Sequence, residues 1–178
     1  TNMAQSVREY DQVLRRNQGI PWVNSIGADS SGEAYYADIS VVPHVTDEHA
    51  ERCNSAVGLA TFQLLGLPVL DGSRSTCKWG RDPSAIQPGT LGPEEHLPSM
   101  FRDDYVMNAN DSYWLGNLKQ RLEGFPLIVG NERSARALRT IPVILKIAAD
   151  MRRAMAIESD GRASTLISSE LRWMMSSA

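Results

Sequence analysis

The stretch "CKWGRDPSAIQPGTLGPEEHLP", from Cys77 to Pro98, holds four of the chain's nine prolines and three of its thirteen glycines. Each proline fixes φ, gives up its own N–H and restrains the residue before it. Neither a helix nor a paired strand can run through such a segment. A long loop, ordered or wandering, is therefore expected there, and loops of that length are commonly functional. Regular structure must be built on either side of it.

On the N-terminal side, "SVREYDQVLRR" opens with Ser6 and Glu9 in capping-box spacing, and Val7, Tyr10, Val13 and Leu14 fall on one helical face. A helix ending before Gly19 is predicted. "IPWVNSIGAD" and "EAYYADISVV" are rich in β-branched and aromatic residues and flank the turn residues "SSG", so they read as an antiparallel hairpin. The pattern from Asp47 to Leu65 is mixed, and "LLGLPVLDGS" ends in a turn. On the C-terminal side "DDYVMNAN" reads as a short strand entering a turn. Arg133 to about Ala156 reads as helical, broken or displaced at Pro142, and "TLISSELRWMM" has helical spacing at Leu166, Glu170 and Met174. No repeat or linker divides the 178 residues, which are read as one piece.

With 42% hydrophobic and 22% charged residues, the composition is that of a soluble globular protein. A net charge of -3, with 18 basic residues scattered except between Arg133 and Arg153, offers no footprint for phosphate backbones, so nucleic acid is not an expected partner. No apolar run reaches the roughly 20 residues of a membrane span, and "TNMAQSVREY" lacks the tripartite form of a signal peptide. Because the sequence starts without Met and enters a helical pattern at once, residue 1 is read as a cut or processing point in something longer.

His44, His49 and His96 show no zinc-like spacing. "LDGSRS" lacks the G-x-S-x-G elbow and reads as a Gly-Ser turn. Gly58 and Gly66 are too far apart, and lack the Lys, for a phosphate loop. Thr1 has the residue type of an N-terminal nucleophile, but a Thr at that position is uninformative alone. "RDDYVMN" and "ERSARALR" are most simply solvated charged faces. Asn110-Asp111-Ser112 matches the N-x-S/T sequon, a pattern frequent by chance. Cys53 and Cys77 are 24 positions apart. They form either a disulfide or two free core thiols.

"YVMNANDSYWLGN", residues 105–117, concentrates short amides among aromatic rings. Asn and Asp favour turns because their side chains bond the backbone two residues on. The alternative is that one amide aims its N–H into a cleft as a donor for developing negative charge.

Taken together, "GIPWVNSIGADSSGEAYYADISVVPHVTDEHAERC", "LPVLDGSRSTCKWGRDPSAIQPGTLGPEEHLPSMFRDDYVMNANDSYWLGN" and "LEGFPLIVGNERSARALRT" resemble the penicillin acylase family of N-terminal nucleophile hydrolases, in its acyl-homoserine lactone and lipopeptide acylase branch. The resemblance runs from about residue 5 to residue 140. It implies an α+β chain belonging to a four-layer αββα fold with antiparallel sheets, placed in the middle of the family's large (beta) subunit. The catalytic serine would begin that subunit, upstream of this chain, so Thr1 does not match it.

By the same resemblance, Asn110 is the side-chain oxyanion donor, with Asn108 and Asp111 shaping the turn that aims it. Arg133 helps orient the site, and Trp22 falls on the aromatic wall of the acyl pocket, although a core aromatic reads equally well there. The substrate is a small-molecule N-acyl amide: an acyl-homoserine lactone, a lipopeptide or a penicillin side chain. The partners are the small (alpha) subunit and the remainder of the large one. Periplasmic or secreted location follows, which favours the Cys53–Cys77 disulfide. No cofactor is implied; some members carry a structural calcium, whose ligands do not map onto this chain. The match loosens over residues 141–178, and without its serine the chain alone is expected to be inactive. A non-catalytic acyl-binding module, or a remnant of a disrupted gene, stands as the alternative.

Overall fold

The computed structural model describes residues 3–21 and 23–158. Trp22, Thr1 and the predicted C-terminal helix around Leu166 lie outside the described residues. The architecture is α+β, with α-helices and, among the described residues, one three-stranded antiparallel sheet, and the chain forms two compact units. The first runs up to Met107 and includes Ser112–Glu132; the second joins Asn108–Asp111 to the chain from Arg133 onward.

In the first unit, α1 (Val7–Asn17) starts as its sequence requires. Ser6 Oγ accepts from Glu9 N at 3.1 Å, and Val7 and Leu14 are buried. Strands β1 (Ser25–Ala28) and β2 (Ala34–Ala37) form the expected hairpin with Ile26 opposite Tyr36, and β3 (Ser99–Arg102) pairs antiparallel with β2, Tyr35 opposite Phe101. The strand predicted in "DDYVMNAN" does not form: no residue of 103–110 is in a strand, and β3 lies just before it, ending at Arg102. Beyond it, Asp104 turns the chain by accepting from Tyr105 N at 2.8 Å, from Arg102 Nε at 2.9 Å and from Asn117 Nδ2 at 3.0 Å. Burial pushes that carboxyl up, but the bonds from Arg102, Tyr105 N and Lys119 outweigh it and hold it well below the usual range.

The helix is fastened to the sheet by polar as well as apolar contacts. Tyr35 is fully buried, its hydroxyl donates to Asp11 Oδ1 at 2.5 Å, and its ring lies 4.7 Å from that of Phe101. Asp11 also pairs with Arg15 at 2.9 Å, and Arg15 Nη2 donates to Ser99 Oγ at 2.6 Å. Burial, reinforced by the Asp11 carboxylate, raises the Tyr35 phenol far above its ordinary pKa.

The mixed region resolves into two helices, α2 (Asp47–Cys53) and α3 (Ala56–Leu65). Thr46 and Ser55 cap them by accepting from His49 N and Gly58 N. A Cβ at Gly58 would lie 2.5 Å from both Asn54 Oδ1 and Val69 O, so glycine there admits a close approach of the returning chain rather than a phosphate. Asp71 accepts from Ser73 N and Oγ, which makes "LDGSRS" a turn.

Cys53 and Cys77 are bonded, with Cα atoms 5.4 Å apart. The proline-rich stretch beyond them is irregular yet pinned: His44 N donates to Gly89 O at 2.8 Å, Gly80 N to His44 O at 2.9 Å and Leu91 N to Val42 O at 2.9 Å. Asp82 ties its middle together, accepting from Ser84 N, Ser84 Oγ and Gly92 N with His96 Nδ1 at 2.8 Å.

The second unit contains α4 (Thr140–Glu158), whose buried positions Thr140, Ile144 and Ala148 recur on one helical side. Helix was predicted from Arg133; it begins seven residues later. Pro142 explains the shift, since a residue without N–H is tolerated only in the first turn, where N–H groups have no intrahelical acceptor.

Candidate active site

Most amides of residues 105–117 are structural. Asn117 is fully buried and fully used: Nδ2 donates to Tyr105 O at 2.7 Å and to Asp104 Oδ1, while Oδ1 accepts from Lys119 N at 2.7 Å and Gln120 N at 3.2 Å. Tyr113 and Trp114 are buried, and the Tyr113 hydroxyl donates to Glu132 Oε1 at 2.8 Å.

Asn108–Asp111 is the exception, and it belongs to the second unit. Asn108 Oδ1 accepts from Asn110 N at 2.6 Å and from Asp111 N at 3.3 Å, and Asn108 Nδ2 donates to Asp111 O at 2.9 Å. That Asx turn forces Asn110 into the left-handed region at φ 62°, a conformation that Asn adopts more readily than most side chains. The exposed Asn110 is held from one direction. Arg139 Nε donates to Ala109 O at 2.9 Å, and Arg139 Nη2 donates to Asn110 O at 2.9 Å and to Asn110 Oδ1 at 2.7 Å.

This clamp fixes the amide's sense. A guanidinium only donates, so the atom facing it must be oxygen, and the opposite atom, Nδ2, is the donor. Nδ2 has no partner among the described residues. The cation on Oδ1 also polarises the amide and strengthens its remaining N–H donors.

Asp111 anchors the other side of the turn. Its Oδ2 accepts from Ala137 N at 2.9 Å and Thr140 Oγ1 at 3.0 Å, and its Oδ1 lies 3.4 Å from Arg136 Nη1. Burial of Arg136 lowers its pKa, partly opposed by Asp111. "ERSARALR" is therefore not simply a solvated charged face: its second and third arginines are bound to the turn, because the turn's carbonyls and carboxylate offer charge-assisted bonds.

Arg133 lies in the same unit, exposed and at φ 48°. Arg139 was not singled out by its sequence context. The available signal was the spacing of three arginines in "RSARALR", any of which can reach back across an intervening loop.

The first unit also contains a cleft of about 1160 Å³ with apolar walls that include Val45, Leu70, Trp79 and Ile86. Among the described residues no helix is long and apolar enough to cross a membrane, and no group of three His, Cys, Asp or Glu could hold a metal ion.

The Penicillin amidase family model matches residues 1–171. Aculeacin-A acylase of Actinoplanes utahensis is 54% identical over 137 residues, 77% of this chain and 17% of that protein. Acyl-homoserine lactone acylase PvdQ of Pseudomonas putida is 40% identical over 133 residues, 74% of this chain and 16% of the relative; PvdQ of Pseudomonas fluorescens Pf-5 is 39% identical over 131 residues, again 74% and 16%. The chain spans about a sixth of the length of these curated relatives. It belongs to the penicillin amidase family.

Proposed function

We propose that this chain is one segment of the large subunit of an amidohydrolase that cleaves N-acyl amide bonds, and that Asn110 supplies the side-chain half of its oxyanion hole. The relatives are acylases by name, and the observation that carries the reading to a particular atom is the Arg139 clamp on Asn110. A nucleophile attacking an amide carbonyl moves negative charge onto its oxygen. A donor fixed beforehand stabilises that charge without reorganising during the reaction. Asn110 Nδ2, held through its own oxygen, is such a donor.

The reaction balances without a cofactor. An N-terminal serine hydroxyl adds to the carbonyl while its α-amino group takes the proton. The C–N bond then breaks, the proton passes to the leaving amine, and water hydrolyses the acyl-enzyme. The serine belongs to the remainder of the large subunit, which together with the small subunit completes the four-layer αββα fold in this reading. Arg133 stands as a further orienting residue, and Trp22 as a wall of the acyl pocket. The substrates are acyl-homoserine lactones, lipopeptides or penicillin side chains. A periplasmic or secreted location is supported by the disulfide, which persists in oxidising compartments.

The test is hydrolysis of a fatty-acyl homoserine lactone and of a phenylacetylated chromogenic amide, by the chain alone and by the chain within its serine-bearing precursor after processing. Turnover in the second case only is expected. A processed, folded precursor that cleaves neither substrate overturns the reading in favour of a non-catalytic acyl-binding module.

A further inference from the structure

Helix α3 lies in the first unit and has no charged residue among its ten. Only Gly58 and Phe62 in it are buried, whereas Val57 is 68% exposed, Leu64 79% and Leu65 62%. Val57, Ala60 and Leu64 stand at i, i+3 and i+7, which places them on one side of the helix, and all three are exposed. The apolar surface continues past the helix through Leu67, also exposed, which lines the cleft that holds Trp79 and Ile86.

The other helices of this unit meet water differently. The exposed positions of α2, which immediately precedes α3, are Asp47, Glu48, Glu51 and Arg52, every one charged. Helix α1 exposes only polar side chains, among them Arg8, Glu9 and Arg16. The chain thus puts charge where a helix faces solvent, and α3 breaks that rule along its whole length. A helix that is apolar on every side is built for burial, and a contiguous exposed apolar patch marks a contact surface.

The missing charge also says what kind of contact covers it. Transient partners are steered and selected by charges around the contact, and a helix that lies on a membrane surface needs a polar or cationic face. α3 supplies neither. Permanent interfaces resemble a hydrophobic core cut in half, and this face has that composition. The chain spans about a sixth of the length of its curated relatives, so in a protein of that size most of the polypeptide is left to provide the cover.

We propose that the face of α3 formed by Val57, Ala60 and Leu64 is a permanent internal interface, covered by an apolar face of the remainder of the same acylase precursor. The proposal rests on the reading that this chain is one segment of a longer amidohydrolase, and its test is read separately from turnover.

The test is maleimide labelling of single introduced thiols in the processed acylase proposed to carry this segment, followed by mass spectrometry of the labelled peptide. Leu64→Cys and Val57→Cys are compared with Glu51→Cys, which lies on the charged face of α2. Thiols at 64 and 57 should label about a hundredfold or more slowly than the same variants in urea, as positions reached only by opening of the structure do. The thiol at 51 should label almost as fast as in urea. Protection should hold over about a hundredfold range of protein concentration, since protection that fades on dilution belongs to a second copy and overturns the proposal. Leu64→Lys buries an unpaired charge in the interface and should cut the yield of assembled, processed enzyme at least about tenfold, while Glu51→Lys leaves it unchanged. Protection at 64 and 57 in a processed protein without turnover leaves the interface standing and removes the amidohydrolase reading. An active enzyme in which these thiols label as fast as the one at 51, or in which Leu64→Lys assembles like the parent, overturns the interface alone.

Discussion

Arg139 Nη2 donates to both carbonyl oxygens of Asn110, main-chain at 2.9 Å and side-chain at 2.7 Å. One guanidinium therefore fixes the turn and the sense of the amide together. In the processed acylase proposed to carry this segment, Arg139→Ala should lower kcat by about ten- to a hundredfold, short of the full loss of an oxyanion donor. KM should change little. Combined with Asn110→Ala it should add almost nothing, since the two residues act through one interaction. Arg133→Ala, measured beside it, should cost less than Arg139→Ala. The readout is steady-state kinetics of the four variants.

The Cys53–Cys77 bond closes a loop of 24 positions in sequence. In the chain-entropy model such a loop is worth about 3 kcal/mol. Cys53→Ser with Cys77→Ser should lower unfolding stability by roughly that amount and should raise hydrogen exchange first in the proline-rich stretch that begins at Cys77. Denaturant titration with amide exchange reads both.

Asp82 gathers its donors at the centre of the same stretch. Bonds from Ser84, joined by Gly92 N and by His96 and opposed by burial, depress its carboxyl to about 2. A carboxylate with a depressed folded-state pKa contributes stability that is fully present above its unfolded value and is lost as pH falls through the folded one. The stretch should therefore loosen as pH drops from about 4 toward 2, with little change from Asp82 above that window. Asp82→Asn should be less stable than the parent at pH 7, and that difference should close at the acid end. Urea unfolding at three pH values tests the sign.

Much of the scaffold was legible because it rests on local rules. Ser6 with Glu9 marked the start of α1, "SSG" between two β-rich runs marked the hairpin, and the spacing of prolines marked the loop. α2 and α3 were not, since their period is weak and their starts depend on two isolated caps, Thr46 and Ser55. The start of α4 was misplaced because two arginines with good helix propensity, Arg136 and Arg139, are engaged instead by Asp111 and by the carbonyls of Ala109 and Asn110. For the same reason the clamp escaped sequence reading. Asn110 and Arg139 are 29 positions apart, and nothing in either local pattern records that they meet. The turn around Asn110 was legible, because an Asx turn needs only its own four residues.

The most direct test is kcat for hydrolysis of a fatty-acyl homoserine lactone by the processed acylase proposed to carry this segment, with Asn110 and with Asn110→Ala. Removing the donor Nδ2 should reduce kcat by roughly 10²–10³ while circular dichroism and KM stay close to the parent. A folded, processed Asn110→Ala enzyme with kcat within about threefold of the parent, far less than the loss of an oxyanion donor costs, would contradict the assignment.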